Sequence, residues 1–73
     1  MSSSNVFRKM DVDSIQDDKV NNRVIFHGPN DDGFEGYCVI GSYEQGVQDV
    51  KIGDAIYYRP SGGSDYGEFA GKR

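Results

Sequence analysis

The chain has 73 residues, with twelve acidic against eight basic side chains, a formal net charge of −4 and a single cysteine. That length allows one domain at most and limits how much surface folding can bury. The negative balance weighs against non-specific nucleic-acid binding, which depends on neutralising phosphates; one cysteine excludes an intrachain disulfide and suits a reducing compartment; and no apolar run approaches membrane-spanning length.

Residues 1–5 are polar and of low complexity, which predicts a disordered start and a single small β domain over residues 6–70. The opening stretch also lacks the apolar centre of a signal peptide, so cytoplasmic residence is expected. Val6-Phe7-Arg8-Lys9-Met10 and Val12 leave the hydrophobic period ambiguous. An edge strand or extended arm fits best, covering a neighbouring sheet face; the alternative is a docking peptide that orders on a partner. Asp13 or Ser14 can cap a helix, and the acidic residues after them suit its dipole, so at most a short helix is expected near residues 14–19.

The stretch from Arg23 to Ser42 organises the chain. Two apolar runs, Val24-Ile25-Phe26 and Tyr37-Cys38-Val39-Ile40, flank the turn formers Pro29, Asn30, Asp31, Asp32 and Gly33. Asp-Gly between β-type runs predicts a hairpin. With Asp32-Gly33 as a two-residue turn, Phe26 faces Val39, Ile25 faces Ile40 and His27 faces Cys38. Both faces are then apolar, whereas a sheet with one wet face alternates cleanly. A second layer of the same chain, or a partner, is expected on the other face.

Residues 41–47 read as a connection, and Gly53-Asp54 as a turn or bulge before a strand over residues 55–59, in which Ile56 and Tyr58 share one face and Ala55, Tyr57 and Arg59 the other. The pattern V-x-I-G-D-x-I-Y-Y resembles the entry to a strand in SH3-like barrels. Pro60 ends the strand, since it cannot donate to a ladder. Residues 61–64 read as a flexible linker, Tyr66 to Ala70 as a short last strand, and residues 71–73 as a free tail. The expected fold is therefore mainly β, a small antiparallel sheet or SH3-like partial barrel of three to five strands, with at most one short helix.

No cofactor motif is present, and no cofactor or metal is expected. His27 and Cys38 are the one conventional nucleophile–base pair, but no orienting carboxylate or oxyanion hole can be identified, and a cysteine among valine and isoleucine reads first as a small core hydrophobe. Residues 30–33 do not align with a calcium loop: with Gly33 at the glycine position, Gly28 and Val39 stand where an aspartate and a glutamate belong. One cysteine and one histidine do not make a zinc site. The reading is a non-enzymatic chain.

Phe7, Phe34, Tyr37, Tyr43, Tyr57, Tyr58, Tyr66 and Phe69 are more aromatics than so small a core can hold. Some are expected to rim the core with wet hydroxyls, and the rest to recognise a protein. Val6, Phe7 and Arg8, with Tyr57, Tyr58 and Arg59, are the candidate protein-binding residues, near sheet edges where strand addition is a common binding mode. The alternative is a small nucleic-acid-binding β-barrel that stacks bases on the same aromatics, against which the acidic balance counts.

Short, acidic and free of catalytic signature, the whole chain resembles the small phage-encoded transcription regulators, known from a phage of Xanthomonas, that bind bacterial RNA polymerase, displace sigma factor and act as antiterminators. The resemblance implies a protein partner, bacterial RNA polymerase, and residence in the host cytoplasm. It rests on length and general character, and carries no residue-level assignment.

Overall fold

In the computed structural model, which describes residues 7–61 and 66–72, the predicted hairpin forms in the expected register. Strands β3 (Arg23–Gly28) and β4 (Tyr37–Ser42) pair antiparallel, with Phe26 opposite Val39, Ile25 opposite Ile40 and His27 opposite Cys38. The turn is longer than two residues, because the ladder stops at Gly28 and Tyr37. Residues 29–36 span the gap with the same parity, so every side chain keeps its predicted face. Asn30 Oδ1 organises this loop, accepting from the backbone N–H of Asp32 (3.0 Å) and of Phe34 (2.9 Å), and Gly33 takes the positive φ of 80° that a side chain would resist.

The chain is mainly β, as expected, but the described residues form six strands rather than three to five, curled into a half-barrel. Besides the hairpin these are β1 (Arg8–Asp11), β2 (Ser14–Asp18), β5 (Ala55–Pro60) and β6 (Tyr66–Lys72), in spatial order β1-β5-β6-β4-β3-β2. All neighbours run antiparallel except β4 and β6, which are parallel. The connection before β5 contains two 3₁₀ turns, Tyr43–Gln45 and Val47–Asp49.

Several expectations are corrected. The helix near residues 14–19 is strand β2, followed by a 3₁₀ turn at Lys19–Asn21. Cap-like residues were available, but a short helix there has little to pack on, whereas the edge of β3 offers a ladder along all of β2. The free tail is wrong for Gly71 and Lys72, which finish β6; the Lys72 ammonium pairs with Asp54 at 3.2 Å. Segment β1 is an edge strand as expected, yet it pairs with β5 and does not cover the outer face of the hairpin. The predicted disordered residues 1–5, Val6, Arg73 and all of the predicted linker but Ser61 lie outside the described residues.

Alternation decides the core. Met10, Val24, Phe26, Tyr37, Val39, Ile56, Tyr58 and Phe69 line the inner face, joined by Val12, Val47 and Val50 from the connections. Phe26 meets Phe69 with ring centroids 5.8 Å apart, and Tyr37 meets Tyr58 at 4.8 Å. Each such side chain stabilises the fold by about 1.5–3 kcal/mol through burial. Gly41 is required at the seam of β4 and β6, because a Cβ there would collide with the Val47 side chain and sit 2.8 Å from Phe69 Cβ. No described helix is long and apolar enough to cross a membrane.

Candidate functional site

With the inner face committed to the core, the groups open to a ligand lie on the outer face and the edges. Phe7 and Lys9 precede and enter β1 with outward parity, and Lys9 is paired with Tyr57 of β5. Phe7, Tyr57 and Ala70 of β6 together line a shallow, mostly apolar hollow on the outer face. Phe7 is 51% exposed, and the Arg59 guanidinium lies over its ring, 5.6 Å from the centroid. That contact is a cation–π pair worth about 0.5–1 kcal/mol at an exposed site, a bias toward this arrangement of a few-fold. Arg59 stands beside the hollow with Glu68 of β6 as its cross-strand partner, while Lys9, paired with Tyr57, also lines a separate hollow with Asp11 and Asp31, so charges of both signs border this face.

The six candidate residues divide accordingly. Phe7, Tyr57 and Arg59 are brought together. Arg8 is turned to the opposite side and pairs with Asp32 at 2.7 Å. Tyr58 is corrected: it is only 1% exposed and belongs to the core, because Ile56 and Tyr58 carry the inward parity of β5. Its buried hydroxyl makes no hydrogen bond among the described residues, and burial pushes the phenol up, with the Asn30 side chain acting the other way from outside bonding geometry. Val6 lies outside the described residues. Ala70 and Lys9 were missed, although Lys9 could have been found from its two-residue spacing to Phe7.

Strand addition at β1 is not open. The Lys9 N–H donates to the Asp31 carboxylate (3.0 Å), the Asp11 N–H donates to the Pro29 carbonyl (3.3 Å), and Met10 bridges Asn30. The hairpin loop thus seals that edge, a standard defence against unwanted pairing. Asp31 and Asp32 are engaged in this closure, in keeping with a turn rather than an ion loop. Among the described residues no three His, Cys, Asp or Glu side chains gather as metal ligands.

At the opposite edge, the Tyr43 hydroxyl donates to the Asp17 carboxylate, which pushes the phenol up to about 12. Asp18 accepts from Asn21 Nδ2 and Arg23 Nε, each at 2.9 Å, and these bonds, Asn21's first, hold it below the usual carboxylate range. Between these edges the outer face carries Ile25, Ile40 and Cys38, half-buried, with no second layer over them among the described residues. Cys38 Sγ lies 3.4 Å from His27 Nδ1, and His27 Nε2 lies 3.4 Å from Gln16 Oε1. The predicted opposition of thiol and imidazole is real, and its third member is an amide that the residue pattern had not singled out. No family model, no curated protein and no solved structure matches this chain.

Proposed function

We propose that the protein is a non-enzymatic, protein-binding regulator that docks a partner on the outer-face hollow of Phe7, Tyr57 and Ala70. The observation that carries this reading is an aromatic pair left outside a completed core, with the Arg59 guanidinium stacked over one of its rings. Tyrosine and arginine are the residues most enriched where a few contacts dominate binding energy. The partner segment that fits this hollow is apolar at its centre, with polar groups at the border to meet Arg59 and Glu68. Docking is by side chains rather than strand addition at β1, whose outward N–H groups are occupied. The resemblance to small phage regulators makes bacterial RNA polymerase the first partner to test, with loss of sigma factor and read-through of terminators as the regulatory outcomes.

The experiment is a parallel capture from bacterial lysate with the wild-type chain and with a Tyr57→Ala/Arg59→Ala double variant, at moderate and at high salt. Polymerase subunits retained by the wild type and lost from the variant would support the reading. Equal retention on both would remove the hollow. Nucleic acid that co-purifies until salt is raised would favour the base-stacking barrel instead.

A further inference from the structure

The hydrogen-bonded row Gln16–His27–Cys38 crosses three neighbouring strands of the outer face and is unused by the docking reading. Three features make it chemically coherent. First, the pair is set by register: His27 and Cys38 are directly opposed on β3 and β4, so rigid backbone holds Sγ 3.4 Å from Nδ1. Second, the far ring nitrogen, Nε2, faces the Gln16 amide oxygen at 3.4 Å. With the amide oxygen on that side, the tautomer that fits carries its proton on Nε2 and leaves Nδ1 as the acceptor toward sulfur. Third, Cys38 is only half-buried, so a small reagent can reach it. A nucleophile beside a base that is oriented by a third group is the general arrangement for an activated thiol.

We infer that Cys38 is a site of thiol–disulfide exchange with low-molecular-weight disulfides, with His27 as its proton acceptor and Gln16 as the positioning residue. The step balances without further reagents. The Cys38 proton passes to His27 Nδ1, and the thiolate attacks one sulfur of the disulfide. The S–S bond of the reagent breaks as a mixed disulfide forms on Cys38. The departing thiolate takes the proton from the imidazolium, so Cys38 is oxidised and one reagent sulfur is reduced. The other polar or charged neighbours are the Gly36 carbonyl, a second acceptor 3.8 Å from Sγ; Ser14, paired with His27 on β2; Tyr66, paired with Cys38 on β6; and Glu68, beside Ile40. Cys38 is the chain's one cysteine, so any adduct reports on this site alone.

The test uses oxidised glutathione and an aromatic disulfide with the full chain. Intact mass is expected to show one glutathionyl adduct, removed by added thiol. At pH 7 the folded chain should react with the aromatic disulfide about three- to tenfold faster than the same chain unfolded in urea, because only the fold brings the His27 imidazole beside the thiol. His27→Gln should remove that advantage at pH 7 but leave the rate unchanged at a pH high enough to ionise any thiol. Gln16→Ala, an exposed change that leaves the ladder intact, should lower the neutral rate by a smaller factor with the same convergence at high pH. A folded rate at pH 7 no higher than the unfolded rate would overturn the inference. So would His27→Gln and Gln16→Ala variants that match the wild type at every pH.

Discussion

The two faces of this sheet are written in alternate residues of the same strands, yet they carry different tasks. On β5, Ile56 and Tyr58 are sealed inside, while Tyr57 and Arg59, each one residue along, stand outside against Phe7 and Ala70. On the hairpin, Val24, Phe26, Tyr37 and Val39 make core, whereas Ile25, His27, Cys38 and Ile40 lie half-buried on the other side. The inner face spends nearly all its side chains on burial. The outer face keeps aromatic, cationic and thiol groups that burial would have silenced. A half-barrel of this length can close one face only, and what it leaves outside is where its chemistry is available.

The sharpest way to break that contrast is to exchange the faces' consequences by mutation. Phe26→Ala, on the inner face, removes a ring packed against Phe69 and should cost about 3–5 kcal/mol. Against the roughly 4–11 kcal/mol typical of a chain this long, urea denaturation should find it largely or wholly destabilised. The Tyr57→Ala/Arg59→Ala pair, one residue away in parity, removes a half-buried ring and an exposed cation–π contact and should cost about 1–2 kcal/mol in the same denaturation, well short of the Phe26→Ala loss. Its partner affinity should nevertheless fall by about tenfold or more, as read by calorimetry. If the two variants lost stability equally, the outer face would be core in disguise.

Much of this contrast was legible in the residues. The register followed from two apolar runs of matching parity about a cluster of turn formers, and it survived a longer loop because the added residues kept the parity. The opposed His27 and Cys38 came with it. Three things were not legible. Strand β2 carries helix-start chemistry, and it is a strand only because β3 presents an unpaired edge, a fact of tertiary pairing rather than local preference. Alternation showed that Tyr57 and Tyr58 must part company, but not which of the two faced inward until the core was known. Residues 71–72 looked like a tail because Gly and Lys signal nothing locally, whereas β5 supplies the ladder that extends β6.

Smaller effects sharpen the account at the edges. Asn30→Ala removes the acceptor that shapes the hairpin loop, and should cost about 1–2 kcal/mol. Amide exchange should then rise at Lys9 and Asp11, whose N–H groups the loop covers; unchanged exchange there would mean that β1 does not need the loop. At alkaline pH, Tyr43 has a folded value raised to about 12 by its bond to Asp17. Its contribution is complete below the ordinary tyrosine value near 10 and is lost as pH rises from about 10 through 12. Tyr43→Phe should flatten that limb of a thermal-melt profile. At acid pH the sign reverses. Asp18 is lowered by Asn21 and then Arg23, and Asp54 by the Lys51 N–H and then Lys72. Their contribution is present above the ordinary aspartate value near 4 and disappears as pH falls below it. An Asp18→Asn/Asp54→Asn variant should melt with a shallower acid slope; a slope equal to that of the wild type would assign acid unfolding elsewhere.

The docking site proposed for a protein partner is the outer-face hollow, not the sealed edge or the core. The direct measurement is a titration of purified bacterial RNA polymerase, with and without sigma factor, with the wild-type chain and the Tyr57→Ala/Arg59→Ala variant, each first shown to be folded. The wild type should bind saturably, sigma factor should weaken that binding, and the variant's affinity should be at least about tenfold lower. Equal affinity of the two chains, or no binding by the wild type, would contradict it.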